Sequence, residues 1–390
     1  MSVGVTIFIV ALLVVIMIHE AGHFAMAKLF NFKATKFFLG FGPTIWSVQK
    51  GETEYGVKAI PAGGFVKIIG MNPYEEVAPE DRSRSYPNKP RWQRALLLVA
   101  GSATHWLVAF VFLAASVIAV GLPEATNRLA TVEDRIEGRP TPASEAGFRE
   151  GDEVVGVGGV RTESWERIRE FIRAHPGEEV TFVVARDGET TTIPVRLGKL
   201  VEGEDGIAVE YAGPDEAVEV SEGEAVVGFL GVSTSQRMDS VGVGGAVSFA
   251  TTTTWEFTAG SVRGIGSIFT TLFDGSLFEA LSGEGAREPT EGPVGLIGAG
   301  RIAGQALEEG LLNLAQWIAG LTIFIGLMNL LPLPPLDGGH LAVVAYEAAT
   351  GRTVDVRKLI PIAAAVISFF VILFLAVLYL DLVRPIEVPF

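Results

Sequence analysis

Residues 3–27 read VGVTIFIVALLVVIMIHEAGHFAMA. The first sixteen carry no charge; then His19, Glu20 and His23 arrive together. A run this long and apolar can cross a bilayer as a helix. On that helix the two histidines, at i and i+4, share one face, and the glutamate between them can serve as general base, the pattern of a zinc site. Imidazoles and a carboxylate at membrane depth are costly and mark function. Buried polar contacts among the three would be the plainer reading. With five His in 390 residues, however, a chance HExxH is expected only about 0.01 times per chain.

A second cluster lies near the C-terminus. Residues 329–340 read NLLPLPPLDGGH and follow the apolar run WIAGLTIFIGLM (317–328). Two histidines leave a tetrahedral zinc short of one protein ligand, with a further position for water. Asp337 is the expected third ligand, because a carboxylate at that depth needs a cation. His340 is a weaker candidate, three residues further on. The prolines and glycines break the helix there. Backbone freed at membrane depth is tolerated only where protein buries it or it lines a wet cavity.

HEAGH in one apolar helix and NLLPLPPLDGG in a late one resemble the site-2 protease family of intramembrane zinc metalloproteases. FGPTIWS (41–47), YGVKAIPAGGFVKIIG (55–70) and EGPVGLIG (291–298) extend the likeness over nearly the whole chain, apart from roughly 200–285. The resemblance implies that His19, His23 and Asp337 hold Zn2+ and that Glu20 is the base. It also implies that Asn329 binds the substrate backbone or stabilises the oxyanion. One departure stands out. The family usually carries Gly-Pro-x-x-Asn in its second membrane helix; here residues 101–105 read GSATH, which puts His105 where the asparagine is expected.

Composition fits a membrane protein with a sizeable soluble part: 49% hydrophobic, 19% charged, mean hydropathy +0.39. Without cysteine there is no disulfide framework and no thiolate ligand, which leaves His, Asp and Glu for zinc. Spans are expected at about 3–27, 95–121, 312–333 and 359–380. The first has no basic leader and no convincing small-residue cleavage site, so it reads as an uncleaved helix. A fifth stretch, 241–273, holds Glu256, Arg263 and many Thr and Gly; it is expected to lie as a helix at the membrane interface rather than to span.

Charge orients the chain. Residues 28–94 carry 11 Lys/Arg, which places that loop in the cytoplasm. Residues 122–310 carry 15 Lys/Arg against 33 Asp/Glu and are expected outside. Both termini are then extracytoplasmic, in the plasma membrane, with the active site toward the cytoplasmic side. No polybasic stripe exists to neutralise phosphates, so nucleic acid is not an expected partner.

The expected architecture is a multi-pass α-helical membrane protein of about four spans, with a membrane-associated β-hairpin and an inserted α+β domain. Residues 1–121 form the first membrane half. Within it, 55–60 and 65–70 flank Pro61-Ala62-Gly63-Gly64 and read as a hairpin. The family likeness makes this segment a re-entrant loop beside the zinc, whose edge could pair with an extended substrate. Residues 125–198 resemble a PDZ domain, with Trp165, Ile168 and Ile172 at helical spacing as core. Residues 199–310 read as an acidic, turn-rich stretch (199–224), a linker or a poorly ordered strand pair, followed by the interfacial helix, and 311–390 as the second membrane half.

The expected function is intramembrane zinc endopeptidase action on a membrane-spanning protein, a pre-cleaved anti-sigma factor by family likeness, with the PDZ-like domain gating substrate size. Lipid bilayer and substrate are the expected partners. A metal-binding transporter should show repeated halves with matching broken helices, and the two clusters differ in sequence and spacing. A non-catalytic PDZ scaffold could dispense with Glu20.

Overall fold

The structure, a computed structural model, describes residues 2–383 and Pro385, apart from 137, 163, 204–207, 219, 222 and 274–293. The chain divides into two compact units, Met1–Val120 with Val241–Phe390, and Gly121–Ser240.

In the first unit, α1 (Ser2–Leu29) runs unbroken through HEAGH. It stops at Asn31, whose left-handed backbone (φ 54°) ends the helix. Next come β1 (Ala34–Lys50) and β2 (Thr53–Ile68), then α2 (Arg91–Val120). Four helices are long and apolar enough to cross a membrane: Val3–Leu29, Arg91–Val120, Leu311–Asn329 and Val356–Val383. The third ends four residues earlier than expected. Pro332, Pro334 and Pro335 supply no N–H and disfavour helix in the residues before them.

The pairing of 55–60 with 65–70 that the sequence suggests does not occur. Phe38 pairs with both Phe65 and Gly56, and Gly56 pairs also with Ser47. Four antiparallel rungs result, in the order 64–68, 36–39, 53–58, 44–50. Pro61–Gly64 therefore bridges across the 36–39 strand instead of making a tight turn. The outer edge of 64–68 remains free of strand partners, and that edge faces α1.

Beneath the histidines, Ala27, Phe32, Ala34, Ile68, Leu97, Leu98 and Val344 form one buried cluster. Each large side chain there contributes about 1.5–3 kcal/mol. The cluster fixes α1, the sheet and α2 to each other.

The second unit is α+β. It contains β3 (Leu122–Val132), β4 (Arg135–Ile136), β5 (Arg139–Pro140), α3 (Pro142–Ala146), β6 (Glu153–Val157), β7 (Val160–Arg161), α4 (Trp165–Ala174), β8 (Glu179–Arg186) and β9 (Glu189–Arg196). Then follow β10 (Gly198–Glu202), β11 (Ala208–Ala212), β12 (Ala225–Phe229) and β13 (Val232–Asp239). One sheet has the order β13-β3-β6-β8-β9 with β7 beside β6, and a second has the order β11-β10-β12. Ile168 and Ile172 of α4 are buried with Phe182, Leu129 and Leu197, and Trp165 packs against them.

Of the two readings of 199–224, linker or strand pair, the structure has strands: β10 pairs antiparallel with β11, and β10, β12 and β13 complete the second unit, with β13 pairing along β3. The 241–273 stretch forms α5 (Val243–Phe273) within the first unit. Ala250 packs with Ala109 and Leu113, while Trp106 Nε1 donates to Thr258 at 2.9 Å. Along these contacts α5 runs antiparallel to α2 over eight residues, about 12 Å, and it is not among the four helices long and apolar enough to cross a membrane. Its threonines and glycines are polar by composition but small enough for close helix packing.

The unit is completed by α6 (Leu296–Glu309), α7 (Leu311–Asn329), α8 (Asp337–Thr350) and α9 (Ile360–Val383). Residues 291–293 of the EGPVGLIG motif lie outside the described residues. Gly4 of α1 sits against Gly300 and Gly304 of α6. Asp381, near the end of α9, accepts the N–H groups of Ile297 and Gly298 at the start of α6, both at 2.9 Å.

Candidate metal centre

The helical spacing of HEAGH puts His19 and His23 side by side, with Nε2 atoms 3.0 Å apart. Asp337 joins them from α8: its Oδ2 lies 2.9 Å from His19 Nε2 and 3.0 Å from His23 Nε2. Among the described residues, these three form the group able to hold a metal ion. Both histidines are over nine-tenths buried.

Three devices bring Asp337 there. Gly338 and Gly339 allow the 330–336 loop to fold onto the start of α8. A Cβ on Gly338 would lie 2.1 Å from Leu330 O, and one on Gly339 2.5 Å from Pro334 N. Further along, Glu347 forms a buried ion pair with Arg94, tying α8 to α2. A buried pair of this kind is costly to break from one side, about 3–5 kcal/mol, because the remaining charge is uncompensated.

The far ring nitrogens are also occupied. His23 Nδ1 donates to Leu97 O at 2.8 Å, and His19 Nδ1 is 3.0 Å from His105 Nε2. Nδ1–H on His23 leaves Nε2 as a lone pair aimed at Asp337, the tautomer that metal ligation requires. Gly101 keeps the space open, since a Cβ there would meet His23 Nε2 at 2.3 Å and His19 Cε1 at 2.8 Å. Donor types, convergence and outer partners all fit zinc.

Glu20 lies beside this group. Its Oε2 accepts the Val66 N–H at 2.9 Å, a bond from the free edge of the 64–68 rung. Glu20, Phe65, Val66, Asn329 and the three candidate ligands line one cavity of about 290 Å³. Asn329 donates from Nδ2 to Ile325 O at 3.2 Å. His340 lines a different cavity of about 890 Å³, together with Trp92 and Arg94. Sequence reasoning did not single out Leu97, Val66 or Gly101. An apolar residue whose backbone carbonyl matters and a small residue whose emptiness matters leave no mark in side-chain chemistry.

The model of peptidase family M50 matches residues 7–375. The chain belongs to that family. Peptidase family M50 relatives extend over almost the full length. Zinc metalloprotease Rip1 of Mycobacterium bovis is 33% identical, covering 98% of each chain. Zinc metalloprotease RasP of Geobacillus kaustophilus is 27% identical over 90% of this chain and 91% of its own. Metalloprotease MmpA of Caulobacter vibrioides is 29% identical over 90% and 89%. The unpaired 64–68 edge at the M50 site and the His19–His105 contact are features of this chain's own geometry.

Proposed function

We propose that this M50 peptidase is an intramembrane zinc endopeptidase that cleaves membrane-spanning segments of other proteins. The observation that carries the reading is the meeting of His19, His23 and Asp337 at one point, with Glu20 on the rim of the same cavity. His19, His23 and Asp337 would hold Zn2+. When bound, zinc supplies Lewis acidity, acidifying water and polarising a peptide carbonyl.

The chain's own residues do the rest. Glu20 takes the proton of the attacking water on its carboxylate and passes it to the leaving amine nitrogen. The Val66 N–H holds Oε2 of Glu20, so Oε1 is the oxygen not engaged by that bond. Asn329, at the cavity wall, carries an amide able to hold the substrate carbonyl or the oxyanion. Apart from the Val66 N–H held by Glu20, the outer-edge backbone groups of 64–68 are the ones an unwound substrate strand would pair with.

The substrate class is a membrane segment, with a pre-cleaved anti-sigma factor as the specific candidate. The second unit, PDZ-like by sequence, acts as a size filter on substrates. By charge it is extracytoplasmic with both termini, and the metal site lies toward the cytoplasmic side of the plasma membrane.

The experiment is Glu20→Gln in the full-length chain, purified in detergent. Glutamine keeps the size but cannot take the proton. Cleavage of a membrane-segment substrate should fall at least about 10²-fold, with zinc content unchanged. Near-normal turnover would remove Glu20 from the mechanism.

A further inference from the structure

His105 is fully buried in α2. Its Nε2 lies 3.0 Å from His19 Nδ1, and its own Nδ1 has no partner among the described residues. Room for the ring comes from Gly326 of α7, where a Cβ would stand 2.9–3.0 Å from three His105 atoms. This is the position at which family resemblance leads one to expect asparagine.

We propose that His105 is the positioning residue for the candidate zinc ligand His19. Its Nε2 accepts the Nδ1–H of His19 and so keeps the Nε2 lone pair of His19 directed at His23 and Asp337. The inference rests on the zinc-site reading above.

The reasoning is one of tautomers. A ligand binding through Nε2 must carry its proton on Nδ1, and that N–H needs an acceptor where water is excluded. For His23 the acceptor is Leu97 O. For His19 it is an imidazole nitrogen, which accepts only when the His105 proton sits on Nδ1. This tautomer leaves the buried Nδ1–H of His105 without a partner among the described residues, a cost that the bond to His19 has to offset. The opposite tautomer would set two N–H donors against each other. A side chain present only to fill space would not need this alignment.

The test separates an acceptor from a filler. In glutamine the side-chain oxygen can reach the place of Nε2, whereas leucine fills similar volume and accepts nothing. The full-length chain and both variants are purified in detergent. Zinc dissociation constants are measured by chelator competition, cobalt substitution gives a visible spectrum, and apo-protein unfolding serves as a folding control. His105→Leu should bind zinc about 10–100-fold more weakly, with an altered cobalt spectrum and a folded apo state, and His105→Gln should recover to within about threefold of the unaltered chain. Zinc binding by His105→Leu as tight as that of the unaltered chain, or equal weakening by both variants, overturns the proposal. Should His105→Leu fail to fold, His105→Met takes its place with the same expected outcomes. Failure of the unaltered chain itself to bind zinc would overturn the metal-site reading instead, so the two failures are distinct.

Discussion

Asp337 Oδ2 stands 2.9 Å from His19 Nε2, although 318 residues separate them in sequence. His340, only three residues from Asp337, faces another cavity. Asp337 opens α8, and residues three apart on a helix project in directions about 60° apart, so the two side chains line different cavities. Asp337→Ala should therefore lower zinc affinity by more than the about 10–100-fold that loss of an outer partner costs. His340→Ala should leave it unchanged. Metal analysis of both purified variants checks this; zinc loss in His340→Ala alone would reverse the ligand assignment.

Gly4, at the start of the first span, and Asp381, at the end of the last, both contact α6. Both contacts fall within the first three turns of α6, the arrangement that an even number of crossings would give. Tags placed before Ser2 and after Phe390 should react with a membrane-impermeant label from the same side, and that side should be extracytoplasmic. Labelling of the two tags from opposite sides would remove the four-span topology.

Size filtering by the second unit can be tested by removing the whole compact segment 121–240 and joining its ends with a short Gly/Ser linker. Removal of 125–198 alone would strip β3 from β13 and leave strands without partners. The truncated protein, zinc-loaded, should still cleave a substrate with a short external stump and should newly cleave one with a long external domain. Loss of both activities would make the unit part of the catalytic apparatus.

Glu52, in the turn between β1 and β2, accepts two hydrogen bonds from Arg84 and one from Lys28. The Arg84 guanidinium, aided by Lys28, holds its carboxyl down at about 2. A depressed carboxylate stabilises the fold above its unfolded value, near 4.5, and that contribution fades as pH falls toward 2. Unfolding midpoints of the full chain and Glu52→Gln, measured from pH 7 to pH 2.5, should therefore converge as the solution is acidified. A gap that stays constant or widens would show that the ion cluster contributes nothing through its charge. Because the groups are partly exposed, the gap should be small and reduced by salt.

Much of the site was readable because its chemistry is local. HEAGH sets two candidate ligands and a candidate base on one helix by spacing alone, and the absence of cysteine narrows the third candidate to a carboxylate or imidazole. The four apolar helices were equally legible, since a bilayer demands about 20 apolar residues in a row. The sheet beside α1 was not. Residues 55–60 and 65–70 have strand character, but whether they pair with each other or with an intervening strand depends on 36–39, which lies earlier in the chain. The strand pairing within 199–240 and the packing of α5 on α2 were not legible for a related reason. Their small, polar and acidic residues describe what faces outward, whereas the partners they pack against are far away in sequence.

The sequence by itself determined which side chains could bind zinc and move a proton, and that they sit in helices fit for a membrane. Helix periodicity and the cost of burying charge act within a few residues, so a linear reading captures them. Only the tertiary structure decided that Asp337 rather than His340 meets His19 and His23. It also decided that Leu97 O and His105 stand behind the two imidazoles, and that the free edge of 64–68 gives its Val66 N–H to Glu20. Those contacts join α1 to segments dozens to hundreds of residues away. They depend on the close approach that Gly101, Gly326, Gly338 and Gly339 permit, and a missing side chain announces no partner until the fold supplies one.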